Sequence, residues 1–221
     1  MTPTAFSRLL GSLCLLVGAA TSAPAAELQL DGSRLLVTGT LDGTATAAFT
    51  EQLASAKVRT VVFEDTFGGN AEVARAYAEA IRASGVQTEV RGQCHAACAY
   101  AFLAGQSHRF ARGGQINGLL IPVATRPKQE ELASRWRGEG AQRTLADFTR
   151  TPGATDAAAT GGSTAATNTW QPEQGVLFTS SPTLFGRVYN TFYCDGTQGR
   201  DFTKCERLLD ADPYLLGVLT P

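Results

Sequence analysis

The stretch RGQCHAACAYAFLAG, residues 91–105, decides how the rest of the chain is read. It begins just after Val86 to Val90, a segment that reads as a strand. From Ala96 to Ala104 it is apolar nearly all round, which predicts a helix buried on every side. Cys94, His95, Ala96, Ala97 and Cys98 therefore fall where a strand hands over to a helix.

The same handover occurs one unit earlier. Thr60 to Phe63 is a short β-branched run that predicts a buried strand, and Glu64 to Phe67 leads from it into Gly68, Gly69 and Asn70. Asn70 suits a helix N-cap. Ala71 to Ala83 then sets Val73, Ala74, Tyr77, Ala80 and Ile81 on one stripe, and Gly85 follows as a C-cap. Further out, Leu28 to Leu30 and Leu35 to Leu41 flank Asp31-Gly32 as a hairpin, and Thr44 to Ala56 has apolar residues at helical spacing. Arg109 to Arg112 and Ile116 to Val123 read as extended. Strands alternating with helices of these lengths predict an α/β fold with a mostly parallel sheet.

The N-terminus bears on the compartment. Met1 to Ala25 holds one positive charge, Arg8, then an apolar run from Leu9 to Ala20 and small residues ending in Ala23-Pro24-Ala25. This is the pattern of a secretory signal peptide cleaved after Ala25. Its apolar run is shorter than the roughly 20 residues a spanning helix needs. No other segment is apolar enough to span a membrane, so a soluble periplasmic or secreted protein is expected. Losing Arg8 and no acid takes the formal charge from −1 to −2. A balance so near neutral gives no electrostatic footprint for nucleic acid or an anionic membrane. Cys14 leaves with the signal, and Cys94, Cys98, Cys194 and Cys205 remain. An even number in an oxidising compartment predicts two disulfides. Three pairings are open, and nearness in sequence favours Cys94–Cys98 and Cys194–Cys205, the first about one helical turn apart.

The second half differs in composition. Lys128 to Arg137 has an amphipathic pattern. Thr149 to Thr169 is mostly Ala, Thr, Gly and Ser with no periodicity, which predicts a flexible linker over 138–169. Val176 to Thr179, Thr183 to Phe185 and Arg187 to Tyr193 are dense in β-branched and aromatic residues, with Ser181-Pro182 and Gly186 between them. Residues 170–221 thus read as a small β-rich extension containing the Cys194–Cys205 loop and a helical turn around Leu208-Leu209. Residues 26–137 form the α/β core.

The glycine pair places backbone N–H groups where an anion or a developing oxyanion could reach them. Alone, it is equally a tight turn. Together with residues 91–105 it resembles the exported branch of the Clp protease/crotonase superfamily, from about Thr60 to Ile121. Members of that branch carry Asp-Ser-Pro-Gly-Gly-Asn after the first strand, Cys-x-Ser-Ala-Cys opening a buried helix, and a later Gly-Phe-His-like segment. Asp65, Gly68, Gly69, Asn70, Cys94, Ala97, Cys98 and Gly105 match, while Thr66 and Phe67 replace the Ser-Pro. The resemblance implies a Clp/crotonase-like repeated β-β-α core with an oxyanion hole at Gly68, Gly69 and Ala97. It also implies that Ala96 stands at the nucleophile position and Gly118 or Leu119 at that of the base. Loss of both nucleophile and base removes serine-hydrolase chemistry, whereas backbone donors need no side chain.

Other readings compete with this one. Cys94 or Cys98 could be a thiol nucleophile beside His95 or His108, but export favours a disulfide, and adjacent helical residues do not face each other. Cys94, His95, Cys98 and His108 offer metal-ligand types at a spacing unlike structural zinc sites. Glu64 and Asp65, adjacent on a strand, point to opposite faces. Trp136 and Trp170 name no ligand. No cofactor and no metal are expected. The sequence predicts an exported pseudoenzyme that binds a peptide, an acyl group or a partner protein in a vestigial cleft, alone or within a homo- or hetero-oligomer. The alternative is a periplasmic serine-type peptidase or esterase whose nucleophile comes from Thr179-Ser180-Ser181.

Overall fold

Gly32, at φ 57, lets the chain reverse between Asp31 and Arg34, so β1 (Glu27–Asp31) and β2 (Arg34–Thr40) pair antiparallel. Then follow α1 (Thr46–Ala54), β3 (Thr60–Phe67), α2 (Ala71–Ser84), β4 (Gln87–His95) and α3 (Ala97–Phe102). β5 (His108–Phe110), β6 (Asn117–Pro122), β7 (Gly175–Thr183), β8 (Gly186–Cys194) and β9 (Glu206–Arg207) complete the order. The computed structural model describes residues 25–123, 126–128, 131–132, 174–195, 204–209 and 211–221. Nearly all of the expected signal peptide, the 138–169 linker, most of Lys128–Arg137, and both Trp136 and Trp170 lie outside those residues.

The described strands all join one sheet in the order β1-β2-β3-β4-β6-β7-β8-β9, with β5 also on β4. β4 serves two neighbours in turn: Thr88 to Val90 pair with β5, and Gln93 to His95 pair with β6. The pairings β2–β3, β3–β4, β4–β5 and β4–β6 are parallel. Those of β1–β2, β6–β7, β7–β8 and β8–β9 are antiparallel. The sheet is therefore mixed, not mostly parallel as expected. Crossover helices after β2 and β3 allow parallel neighbours, whereas the two-residue turn between β7 and β8 permits only an antiparallel one.

α2 begins and ends as its sequence predicts. Asn70 Oδ1 accepts the Val73 N–H at 2.9 Å, and Gly85 closes the helix at φ 64. On one face of the sheet, Phe63, Val90, Leu119, Ile121 and Phe178 share a buried cluster with Phe49, Tyr77, Ile81 and Phe102. Burying each such side chain contributes about 1.5–3 kcal/mol. Val176 and Phe178 belong to this same cluster, so the hairpin of β7 and β8 extends the core sheet. On the other face, buried Glu89 takes Arg34 at 2.6 Å and Arg109 at 3.0 Å, and Leu120, Leu177 and Cys194 form a small separate cluster.

The C-terminal segment lies along β5. Thr220 N–H donates to His108 O at 2.8 Å, and the His108 ring meets Val218 O at 2.7 Å. The helical turn expected around Leu208-Leu209 occurs instead after Asp212, whose Oδ1 accepts the N–H groups of Tyr214 and Leu215.

Candidate functional site

β3 shifts register between Glu64 and Thr66, leaving Asp65 bulged at φ 44. The two neighbouring carboxylates diverge, each with its own partner. Asp65 Oδ1 accepts the Gln93 N–H at 2.9 Å, and Glu64 pairs with Arg91 at 2.6 Å. Gly92 has φ 78, and a Cβ there would run into Asp65 Oδ1. The bulge and this glycine fix the end of β3 against β4, where the site begins.

Ala96 is the elbow between β4 and α3, at φ 61 and ψ −117. For a residue with a Cβ this backbone costs about 1–3 kcal/mol and persists only when its surroundings enforce it. A strained strand-to-helix turn of this type is how hydrolases present a nucleophilic oxygen. Here the turn presents a methyl group with 0% exposure. The Ala96 N–H donates to Leu120 O at 3.1 Å, and its carbonyl accepts Ala99 N–H at 3.0 Å. The Cys94–Cys98 disulfide spans the elbow with Cα atoms 5.4 Å apart, and the second bridge joins Cys194 to Cys205. Both pairings match the expectation, but Cys94 lies in β4 and not on the helix.

Gly68 and Gly69, at φ 70 and 83, carry the chain from β3 over this elbow. The Ala97 N–H donates to Gly68 O at 3.1 Å, so it does not face an open cradle. A Cβ on Gly69 would lie 2.5 Å from Ala97 Cβ and 2.6 Å from Leu41 O. The structure thus brings Gly68, Gly69 and Ala97 together in a closed arrangement. An outside oxyanion reaches the Ala97 donor only by displacing Gly68 O.

At the position expected for the base, Leu119 is fully buried in the main cluster. Gly118 pairs with Gln93, whose carboxamide fills the space a side chain on Gly118 would need. That carboxamide also engages His95: Nε2 lies 3.1 Å from Gln93 Oε1, and the ring meets Phe67 edge-on at 5.2 Å. Burial lowers the His95 pKa to about 4, against the opposing pull of Asp65, so the imidazole is neutral near pH 7. Sequence reasoning missed this Gln93–His95 pair. Its signal was available, since residues i and i+2 of a strand share a face.

The remaining candidates separate. Both sulfurs of the thiol and metal readings are bound in the disulfide, and His108 is anchored to Val218 O. Among the described residues no group of three or more His, Cys, Asp or Glu could hold a metal ion. Ser180 is buried and its Oγ accepts Arg187 Nη1 at 3.2 Å and Asn117 Nδ2 at 3.4 Å. Neither donor is a base that would activate it.

No protein-family model matches the chain, and no curated protein matches it. It is similar to the solved structure of an enoyl-CoA hydratase candidate from Streptomyces avermitilis, at 15% identity and a TM-score of 0.35, over 57% of this chain and 60% of that one. It is also similar to ClpP1 from Listeria monocytogenes, at 13% identity and a TM-score of 0.35, over 57% of this chain and 86% of that one. The chain spans less than two thirds of the hydratase's length. Likenesses at these TM-scores assign no activity and give no residue a role.

Proposed function

We propose that this chain is an exported, non-catalytic relative of the Clp protease/crotonase superfamily, acting as a binding or scaffold protein. The carrying observation is Ala96: a nucleophile's backbone at φ 61 and ψ −117, holding a buried methyl group. The nearest sequence neighbour with an imidazole, His95, pairs with Gln93, whose carboxamide also occupies the space beside Gly118. Two disulfides fit an oxidising compartment, and no helix among the described residues is long and apolar enough to cross a membrane.

The site's remaining chemistry is reversible binding. A peptide or acyl carbonyl can take the Ala97 N–H by displacing Gly68 O, exchanging one neutral hydrogen bond for another. Such an exchange nets no more than about 1 kcal/mol, so affinity must come from contacts with the residues that border this turn. Treating the purified native chain with a serine-directed fluorophosphonate tests the non-catalytic reading. No incorporation is expected. Stoichiometric incorporation that disappears on denaturation would establish an activated hydroxyl and an enzyme.

A further inference from the structure

The hairpin of β7 and β8 outruns the sheet. Its pairing with β6 stops at Ser180–Asn117, yet Ser181, Pro182 and Thr183 go on to pair with Val188, Arg187 and Gly186. At about 3.4 Å per residue the overhang is roughly 10 Å long. The turn at its tip is Leu184-Phe185, and these side chains are 91% and 96% exposed. Neither turn chemistry nor the core accounts for them. Two-residue hairpin turns favour Gly or Asn at positive φ, and neither Leu184 nor Phe185 has positive φ.

Within the segments that form the finger and its base, the charge is of one sign. Residues 108–121 and 175–194 contain no Asp or Glu. Arg187 donates to Ala111 O, Gly113 O and Ser180 Oγ, all neutral acceptors, so its charge is not cancelled by a carboxylate there. Arg112 is exposed on the same loop, and Ile116 near its end is 58% exposed. Asp212, on the adjoining C-terminal turn, faces Tyr214 as Arg187 does, and it caps its own backbone. The near-zero charge of the whole chain conceals this local asymmetry.

We propose that the tip of the β7–β8 hairpin docks on an anionic lipid surface, with Leu184 and Phe185 entering the headgroup–acyl boundary and Arg112 and Arg187 meeting lipid phosphates. Apolar residues backed by guanidinium groups are the composition that interfacial anchoring uses. Tyr189, four residues from Phe185 and so roughly 13 Å along the strand, bonds its hydroxyl to that of Tyr214 at 3.0 Å. A tyrosine pair at that distance suits the headgroup layer. A second copy of the chain fits less well. A two-fold contact through the tip would set Arg112 and Arg187 against their own copies.

Flotation of the full mature chain with vesicles tests this. Phosphatidylcholine vesicles containing about 30% phosphatidylglycerol should bind at least ~5-fold more protein than phosphatidylcholine alone. Binding should weaken when salt rises from about 0.1 M to about 1 M, as the Debye length shrinks. The double substitution L184E/F185E, at exposed positions that leave the circular dichroism unchanged, should cut binding at least ~10-fold. A Phe185→Trp variant should show a blue-shifted emission on the anionic vesicles. Absence of flotation, equal binding to both vesicle types, or binding untouched by the double substitution would overturn the proposal. A concentration-dependent dimer that the double substitution dissolves, without flotation, would overturn it and assign the tip to a second copy.

Discussion

Adding one methyl group at Gly69 probes how tightly the glycine turn is closed on the elbow. Gly69→Ala places a Cβ 2.5 Å from Ala97 Cβ and 2.6 Å from Leu41 O, at φ 83. The left-handed backbone costs about 1–2 kcal/mol for an L-residue. Overpacking a site bounded by a backbone carbonyl adds about 1–3 kcal/mol, because Leu41 is held by its N–H bond to Phe67 O at 2.9 Å. The expected loss is therefore about 2–5 kcal/mol, measured by urea unfolding with both disulfides intact and an unchanged m-value. Ala97→Gly in the same background removes one of the two close contacts and should recover about 1 kcal/mol as coupling in a double-mutant cycle. A loss below about 1 kcal/mol, or no coupling to Ala97, would refute the closed contact between the turn and the elbow.

Two further outcomes follow from the same geometry. Loop-closure entropy over sequence separations of 4 and 11 gives roughly 2 kcal/mol for Cys94–Cys98 and roughly 3 kcal/mol for Cys194–Cys205. Alkylation and mass mapping should show the second bridge opening first under mild reductant, since Cys205 is half-buried while Cys94 and Cys98 have no exposed surface. The His95 pKa, lowered to about 4 by burial, means the neutral ring is favoured in the folded state. Its contribution is complete above pH 6.5 and is lost as pH falls from there towards 4, by about 2–3 kcal/mol. Burial lowers the pKa of His108 as well, so it titrates in the same direction. Denaturant midpoints between pH 7 and pH 4 should fall less steeply for His95→Gln than for the native chain, and identical slopes would contradict the burial of the ring.

Local signals read well from the sequence. The Asn70 cap, the Gly85 stop and the buried helix after Ala96 each rest on a single residue or an uninterrupted apolar run, and the structure has them with ends moved by one or two residues. Long-range pairing did not read. β7 looked interrupted at Ser181-Pro182, because proline breaks ladders. In the structure Pro182 lies on the overhang, where β6 no longer runs alongside and β8 is the partner. Placing the hairpin beside β6 depends on contacts between residues 117–122 and 175–180, which no local pattern encodes. At the candidate site, the resemblance pointed to Ala96, Gly69 and Ala97, and the fold brings these three residues together. The closure was not, since the bond from Ala97 N–H to Gly68 O uses only backbone atoms, and any sequence could make it.

The account turns on Ala96 as an elbow with no base beside it, and Ala96→Ser tests that most directly. The variant, folded as judged by its unfolding midpoint, should hydrolyse activated ester and peptide substrates no faster than the native chain across pH 5–9. Turnover that appears with the hydroxyl, rises with a histidine-like pH profile and vanishes in Ala96→Ser/His95→Gln would contradict it, and would make His95 a base in waiting.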